Sequence, residues 1–290
     1  MQHSRRNFIK LSGLSALALS SPIKKLSLLN NNFSTKHIDA FGIQLWTVKE
    51  DMATNPKDTL KQLANYGYKQ IESFEGKEGI FWGMKNTEFK KYLDDIGTKI
   101  VATHCDISKD FEKKAAEAAA IDMKYLICPW VGSQKHIDDF KKIADEFNKC
   151  GEICKKNGIR FAYHNHDYSF KPVDGQLPQD VLINNTDASL VDFEMDIYWV
   201  VVAGQNPEEW LKKYKNRFRS CHVKDRLKNP PANAGQGSCT LGYGSIDFTK
   251  ILKTAKANGM QYYIVEQEAF NAPPLKCVEA NATYMKALSI

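Results

Sequence analysis

Phe161-Ala162-Tyr163-His164-Asn165-His166-Asp167-Tyr168-Ser169-Phe170 begins as an apolar, strand-like run and breaks into two histidines, an amide and a carboxylate. Three later runs end the same way: Leu190-Val191-Asp192-Phe193-Glu194-Met195-Asp196, Ser220-Cys221-His222-Val223-Lys224-Asp225 and Tyr262-Tyr263-Ile264-Val265-Glu266-Gln267-Glu268. Four successive strands with imidazole or carboxylate at their C-terminal ends are what a metal site at the mouth of a parallel β-barrel requires.

Upstream of these runs the same rhythm is already present. Short apolar runs occur at Ala40–Leu45, Gln70–Ser73, Ile100–His104 and Tyr125–Cys128. Between them lie stretches of helical periodicity, from about Asn55 to Tyr66, Thr87 to Ile96, Ser108 to Met123 and Lys135 to Lys156. Asn55-Pro56 is a cap followed by Pro at the first helical position, and Gly67, Gly97 and Gly158 are left-handed stops. Shorter helices are expected near Gln179–Ile183 and Pro207–Tyr214, then Ile246–Ala257 and Leu275–Ala287. Strands thus recur about every 30 residues with a helix between, which predicts a parallel sheet with right-handed crossovers. Eight units in about 250 residues predict a single closed (β/α)8 barrel over residues 38–290. No GxGxxG or GxxxxGK run follows an early strand, which argues against nucleotide binding.

The chain has 290 residues and a formal charge of +6, but its lysines are scattered over amphipathic helices rather than clustered with aromatics, which argues against a nucleic-acid partner. Residues 1–37 read as export signal and linker. Ser4-Arg5-Arg6-Asn7-Phe8-Ile9-Lys10 precedes a weakly apolar run, Leu11 to Leu19, and resembles a twin-arginine signal, which implies a periplasmic destination. That run is too short for stable membrane insertion. Seven dispersed cysteines form no paired CxxC site. The sequence is also compatible with a homo-oligomer.

In such a barrel the polar residues at strand ends face the active side: Gln44, Glu72, His104, Trp130, His164, Asn165, His166, Asp196, His222, Lys224 and Glu266. Alternation pairs His164 with His166, Glu194 with Asp196, and His222 with Lys224. Together with Leu241-Gly242-Tyr243-Gly244-Ser245-Ile246-Asp247-Phe248, this pattern resembles the xylose isomerase-like TIM barrels, which include sugar isomerases, epimerases and inosose dehydratases. The resemblance implies one divalent ion (Mn, Mg, Co or Zn) held by Glu, Asp, His and Glu of strands five to eight. Carried over, these fall on Asp196, His222 and Glu266, with His164 in the slot that usually holds the first Glu. His164 and His166 remain alternative ligands.

The resemblance further implies a small carbohydrate substrate, chelated through its carbonyl and adjacent hydroxyl. A base would then remove the hydrogen between them to leave an enediolate. Glu72, His166, Lys224 and Glu266 are the candidate catalytic groups, and Gln44, Trp46, His104, Trp130 and Asn165 the candidate substrate contacts. Isomerisation or epimerisation is the first expectation. Elimination from a 3-keto-glycoside or keto-inositol is the second, since the His-Val-Lys-Asp segment resembles the dehydratase branch. A related three-zinc endonuclease needs a histidine where Trp199 stands. A metal-free sugar-binding barrel is a further alternative. The long segment Arg226–Ser245 is expected to fold over the mouth as a lid.

Overall fold

Pro56 opens the helix Pro56–Tyr66 at its first turn, Asn55 caps it by accepting the Asp58 N–H at 3.2 Å, and Gly67 ends it at φ +107°. Gly97 and Gly158 close their helices in the same left-handed way, both at φ +76°. These stops fix where each following strand begins. In the computed structural model, which describes Ile38 and residues 40–290, the strands are Gly42–Gln44, Gln70–Phe74, Lys99–His104, Tyr125–Cys128, Arg160–His164, Val191–Asp196, Phe218–Val223 and Tyr262–Val265. The export signal and linker expected over residues 1–37 lie outside the described residues.

The eight strands, here numbered one to eight in chain order, are all parallel and close into a barrel, with strand one paired to strand eight. The fold is therefore the expected single (β/α)8 barrel. Each Ile or Phe that alternates outward packs against the helices. A separate cluster of Val101, Ala102, Tyr125, Ile127, Ala162 and Ile264 fills the barrel itself. At the N-terminal end of the barrel, Asp192 accepts a hydrogen bond from the Tyr125 hydroxyl at 2.9 Å and pairs with Arg160. Among the described residues no helix is long and apolar enough to cross a membrane.

Lateral register sets Gln44 beside Glu72, His164 beside Glu194, and Asp196 beside His222. The opposite end of the barrel is thus packed with ionisable side chains at matching heights. Short helical turns that periodicity did not reveal follow several of these ends: Leu45–Val48 running into Lys49–Thr54, Asp167–Phe170, and Ile197–Val202.

The expected lid is tied down elsewhere. Asp225–Arg226 and Ser238–Cys239 form an antiparallel ribbon. The Asp225 carboxylate accepts the backbone N–H groups of Arg226, Gly242, Gly244 and Ile246 at 2.8–3.2 Å. A methyl group on Gly244 would overlap that carboxylate and the Arg226 carbonyl, which is why the turn carries glycine there. Among the described residues of 226–245 none borders the mouth cavity; this network and the Ser238 hydroxyl, which accepts the N–H of Glu268 and Ala269, tie the loop to one side.

Candidate metal centre

A cavity of about 730 Å³ opens at the C-terminal end of the barrel, within the size range of small-molecule sites. Trp46, His104, Trp130, His164, His166 and Glu266 border it, as do Trp199 and Glu268. Behind this wall the side chains of Asp196, His222 and Lys224 are buried.

The upper layer brings the four expected ligands together. The Nδ1 atom of His222 is 3.2 Å from Glu266 Oε2 and 3.9 Å from Asp196 Oδ2, and Nε2 of His164 is 3.8 Å from the same Asp196 oxygen. That oxygen is buried and has no hydrogen-bond partner. Ligand atoms about 2.0–2.2 Å from one ion stand roughly 3–4 Å from each other, so this arrangement fits a cation. Lys224 also reaches in, with its ammonium 3.1 Å from Glu266 and 3.7 Å from Asp196, and it pairs with Glu268.

Beneath lies a second layer that sequence reasoning left unassigned. Glu194 Oε2 meets Nε2 of His104 at 2.8 Å, Nδ1 of His164 at 3.1 Å and Nε2 of His222 at 3.2 Å, while its other oxygen accepts from Ser220 at 2.7 Å. Each histidine of the upper layer therefore turns one nitrogen down to Glu194 and the other up towards Asp196. A carboxylate that orients metal-ligating imidazoles in this manner fixes their tautomer and ring plane. Ligand-type atoms also lie within 4.8 Å of one another in the group His104, His164, Glu194 and His222, as they do in Asp196, His222 and Glu266. The unpartnered oxygen lies in the second group, which together with His164 would be the one to hold the ion that the resemblance implies.

Without an ion the electrostatics set the histidines apart, and His222 would give up its proton on ligating one. Burial disfavours a cationic His222, but Glu194, Glu266 and Glu72 outweigh it and hold its pKa well above the ordinary value. Burial likewise opposes His104, yet Glu72 and Glu194 raise it to about 9. His164 is pushed the other way, to about 3, by burial and by His222, so its imidazole is neutral and has a lone pair to offer. Burial lifts Asp196 to about 7 despite Lys224 and His222, with Glu266 adding to the rise. Lys224 and His222 come no nearer to Asp196 than 3.7 and 3.9 Å, and a bound cation would supply a closer positive partner.

One expected catalytic group, Glu72, and two expected substrate contacts, Gln44 and Asn165, lie away from the cavity. Glu72 is fully buried and does not border the cavity; its Oε1 binds Gln44 Nε2 at 2.8 Å and His222 Nε2 at 2.7 Å. Gln44 is likewise in the floor, its oxygen capping the turn at Trp46. Asn165 donates to the Asp196 carbonyl at 3.2 Å from a buried position. None of the three borders the cavity, and their hydrogen bonds run to neighbouring side chains and backbone of the site. His166 does border the cavity. It lies beyond the end of strand five, edge-on to Trp130 at 4.6 Å, and its buried Nδ1 has no partner.

Sequence reasoning missed Glu194, Glu268 and Trp199. For the first two the signal was present, as the period-2 partners of Asp196 and Glu266. Trp199 reads from sequence as an ordinary core residue.

The family described as xylose isomerase-like TIM barrel matches residues 60–288. The inosose dehydratase of Clostridium perfringens is 26% identical over 216 residues, covering 69% of this chain and 68% of the relative. A crystal structure of a sugar phosphate isomerase/epimerase from Parabacteroides distasonis superposes with a TM-score of 0.74 at 28% identity, over 86% of this chain and 94% of that one. The IOLI protein, solved with a zinc atom, superposes at 0.70 over 84% and 95%; at 14% identity this shows a common fold alone.

Proposed function

The chain belongs to the xylose isomerase-like TIM-barrel family, and on that premise we propose a metal-dependent enzyme that enolises a keto sugar and completes the reaction by elimination. The observation that carries this reading is the buried, unpartnered Oδ2 of Asp196, with His164 Nε2 and His222 Nδ1 directed at it beside an open cavity. His164, Asp196, His222 and Glu266 would hold the ion. Two imidazoles among the ligands favour Zn over Mg or Mn. When bound, the ion supplies positive charge that polarises a carbonyl and acidifies the carbon-bound hydrogen next to it.

The chain's own groups divide the proton work. His166 faces the cavity as a neutral imidazole, its pKa held well below the ordinary value by burial, His164 and Lys224, and can accept the carbon-bound proton. Lys224 carries its proton at rest: burial opposes the charge, but Glu266, Asp196 and Glu268 overcome it. Glu268, in contact with Lys224 and on the cavity wall, links that proton to a departing hydroxyl. Groups of opposite protonation state are the pattern of an acid and a base.

The sequence puts isomerisation or epimerisation first. Elimination has the better support: His164 replaces one of the two glutamates an epimerase would alternate, leaving one neutral base and one group protonated at rest. The inosose dehydratase relative supports the same order. The test is NMR in deuterated water, with zinc-loaded protein and either a keto-inositol or D-fructose. A new vinyl proton and loss of water from the keto-inositol support elimination. Deuterium uptake with no group lost supports isomerisation. Unchanged spectra for both, with metal bound, refute the reading.

A further inference from the structure

In the lower layer four side chains close a ring. His104 Nε2 stands 2.8 Å from Glu194 Oε2, and that oxygen is 3.2 Å from His222 Nε2. The same His222 nitrogen is 2.7 Å from Glu72 Oε1, which returns to His104 Nε2 at 3.3 Å. Nitrogen and oxygen therefore alternate round the ring, and the planes of the two imidazoles lie 13° apart. Ordinary hydrogen bonding serves this ring poorly, because each nitrogen carries at most one hydrogen and two hydrogens are spread over four contacts. Ligand atoms about 2.0–2.2 Å from one ion stand roughly 2.8–3.5 Å apart in square or tetrahedral geometry, close to the spacing of all four.

Burial and charge lead to the same point. Glu72 is fully buried, and its Oε2 has no hydrogen-bond partner. Among the described residues Glu72 and Glu194 form ion pairs with imidazoles alone; no lysine or arginine joins them. In the metal-free chain protons on His104 and His222 meet the two negative charges, a task that one divalent ion beside unprotonated nitrogens performs equally. Supporting bonds are already in place behind both carboxylates. Gln44 donates to Glu72 Oε1 at 2.8 Å, and Ser220 donates to Glu194 Oε1 at 2.7 Å. His104 borders the mouth cavity, which gives an ion a way in.

We propose that the lower layer is a second divalent-metal site, held by Glu72, His104, Glu194 and His222. His222 would bridge the two ions as an imidazolate, its Nδ1 towards Asp196 and Glu266 and its Nε2 towards the ring. Two imidazole nitrogens suit Zn better than Mg or Ca. Glu72 and His104 become ligands on this account, in place of the catalytic and substrate-contact roles expected from sequence. The assignment goes beyond the enolising reading and does not depend on it.

Metal content tests this without any substrate. Full-length protein is equilibrated with excess zinc, separated from loosely held ion by gel filtration, and assayed for zinc per chain by mass spectrometry. The wild type should carry two. Glu72→Gln and His104→Gln should each carry one, as should Asp196→Asn, which disrupts the upper site alone, and His222→Ala should carry none. Circular dichroism shows whether each variant is folded. A single zinc in the wild type overturns the proposal, as do two that both Glu72→Gln and His104→Gln leave in place. No zinc in the wild type overturns both metal sites. A protein with two zinc ions, each lost with its own layer, that leaves every keto sugar untouched supports this assignment while refuting the enolising reading.

Discussion

Replacing Glu194 with Gln keeps the side chain's size but removes the charge that three histidines share. In the structure Oε2 takes contacts at 2.8, 3.1 and 3.2 Å from His104, His164 and His222. Loss of one orienting group behind a metal ligand lowers affinity about 10–100-fold. Glu194 serves two ligands at once, so the upper end applies, about 100-fold or roughly 2.7 kcal/mol. The fold suffers separately. Burial opposes a charged Glu194, but His222, His104 and His164 hold its pKa well below the ordinary value, so the wild-type group is a carboxylate paired with cationic imidazole. Breaking such a buried pair costs about 3–5 kcal/mol, or on the order of 6–20 °C in Tm for a domain of this length. Zinc affinity is measured by competition with a chromophoric chelator, and stability by thermal unfolding of metal-free protein. Unchanged affinity would refute the orienting role. A loss as complete as that of Glu266→Gln would make Glu194 a direct ligand and move the ion to the lower layer.

Two further outcomes are expected. Zinc at about 100 times its Kd should add about 2.7 kcal/mol, raising Tm by roughly 5–10 °C, and His222→Ala should abolish that shift in a calorimetric scan. Asp225→Ala strands four backbone N–H groups and should lower the urea midpoint by the equivalent of about 2–4 kcal/mol with an unchanged m value. A smaller effect would mean that water replaces the carboxylate easily.

The barrel was legible because its signals are local. A cap at Asn55, a stop at Gly67 and a run of apolar residues at Gln70 each act within a few positions, and repetition then implies closure. The helices Pro56–Tyr66 and Ile137–Lys156 fall within two residues of where periodicity puts them. The candidate ligands came from the family resemblance, and register then sets Asp196 beside His222, with Glu266 two residues beyond Ile264, the neighbour of His222. Depth was not legible. Whether Glu72 meets a sugar or underlies His222 depends on the stagger between strands, with a register shift between Ile71 and Glu72 where strand two pairs with strand three, and no sequence period encodes that. The fate of Arg226–Ser245 was hidden for a similar reason. Its composition says loop, but Asp225 decides where the loop lies, through four bonds to residues up to 21 positions away.

Lys224 has a consequence for how the protein acquires its ion. Its ammonium is a resident counterion, in place before any metal arrives, and it relieves the mutual repulsion of Glu266, Glu268 and Asp196. An ion entering such a site would displace part of an existing charge pair rather than organise the barrel, in contrast to small domains whose structure is assembled around zinc.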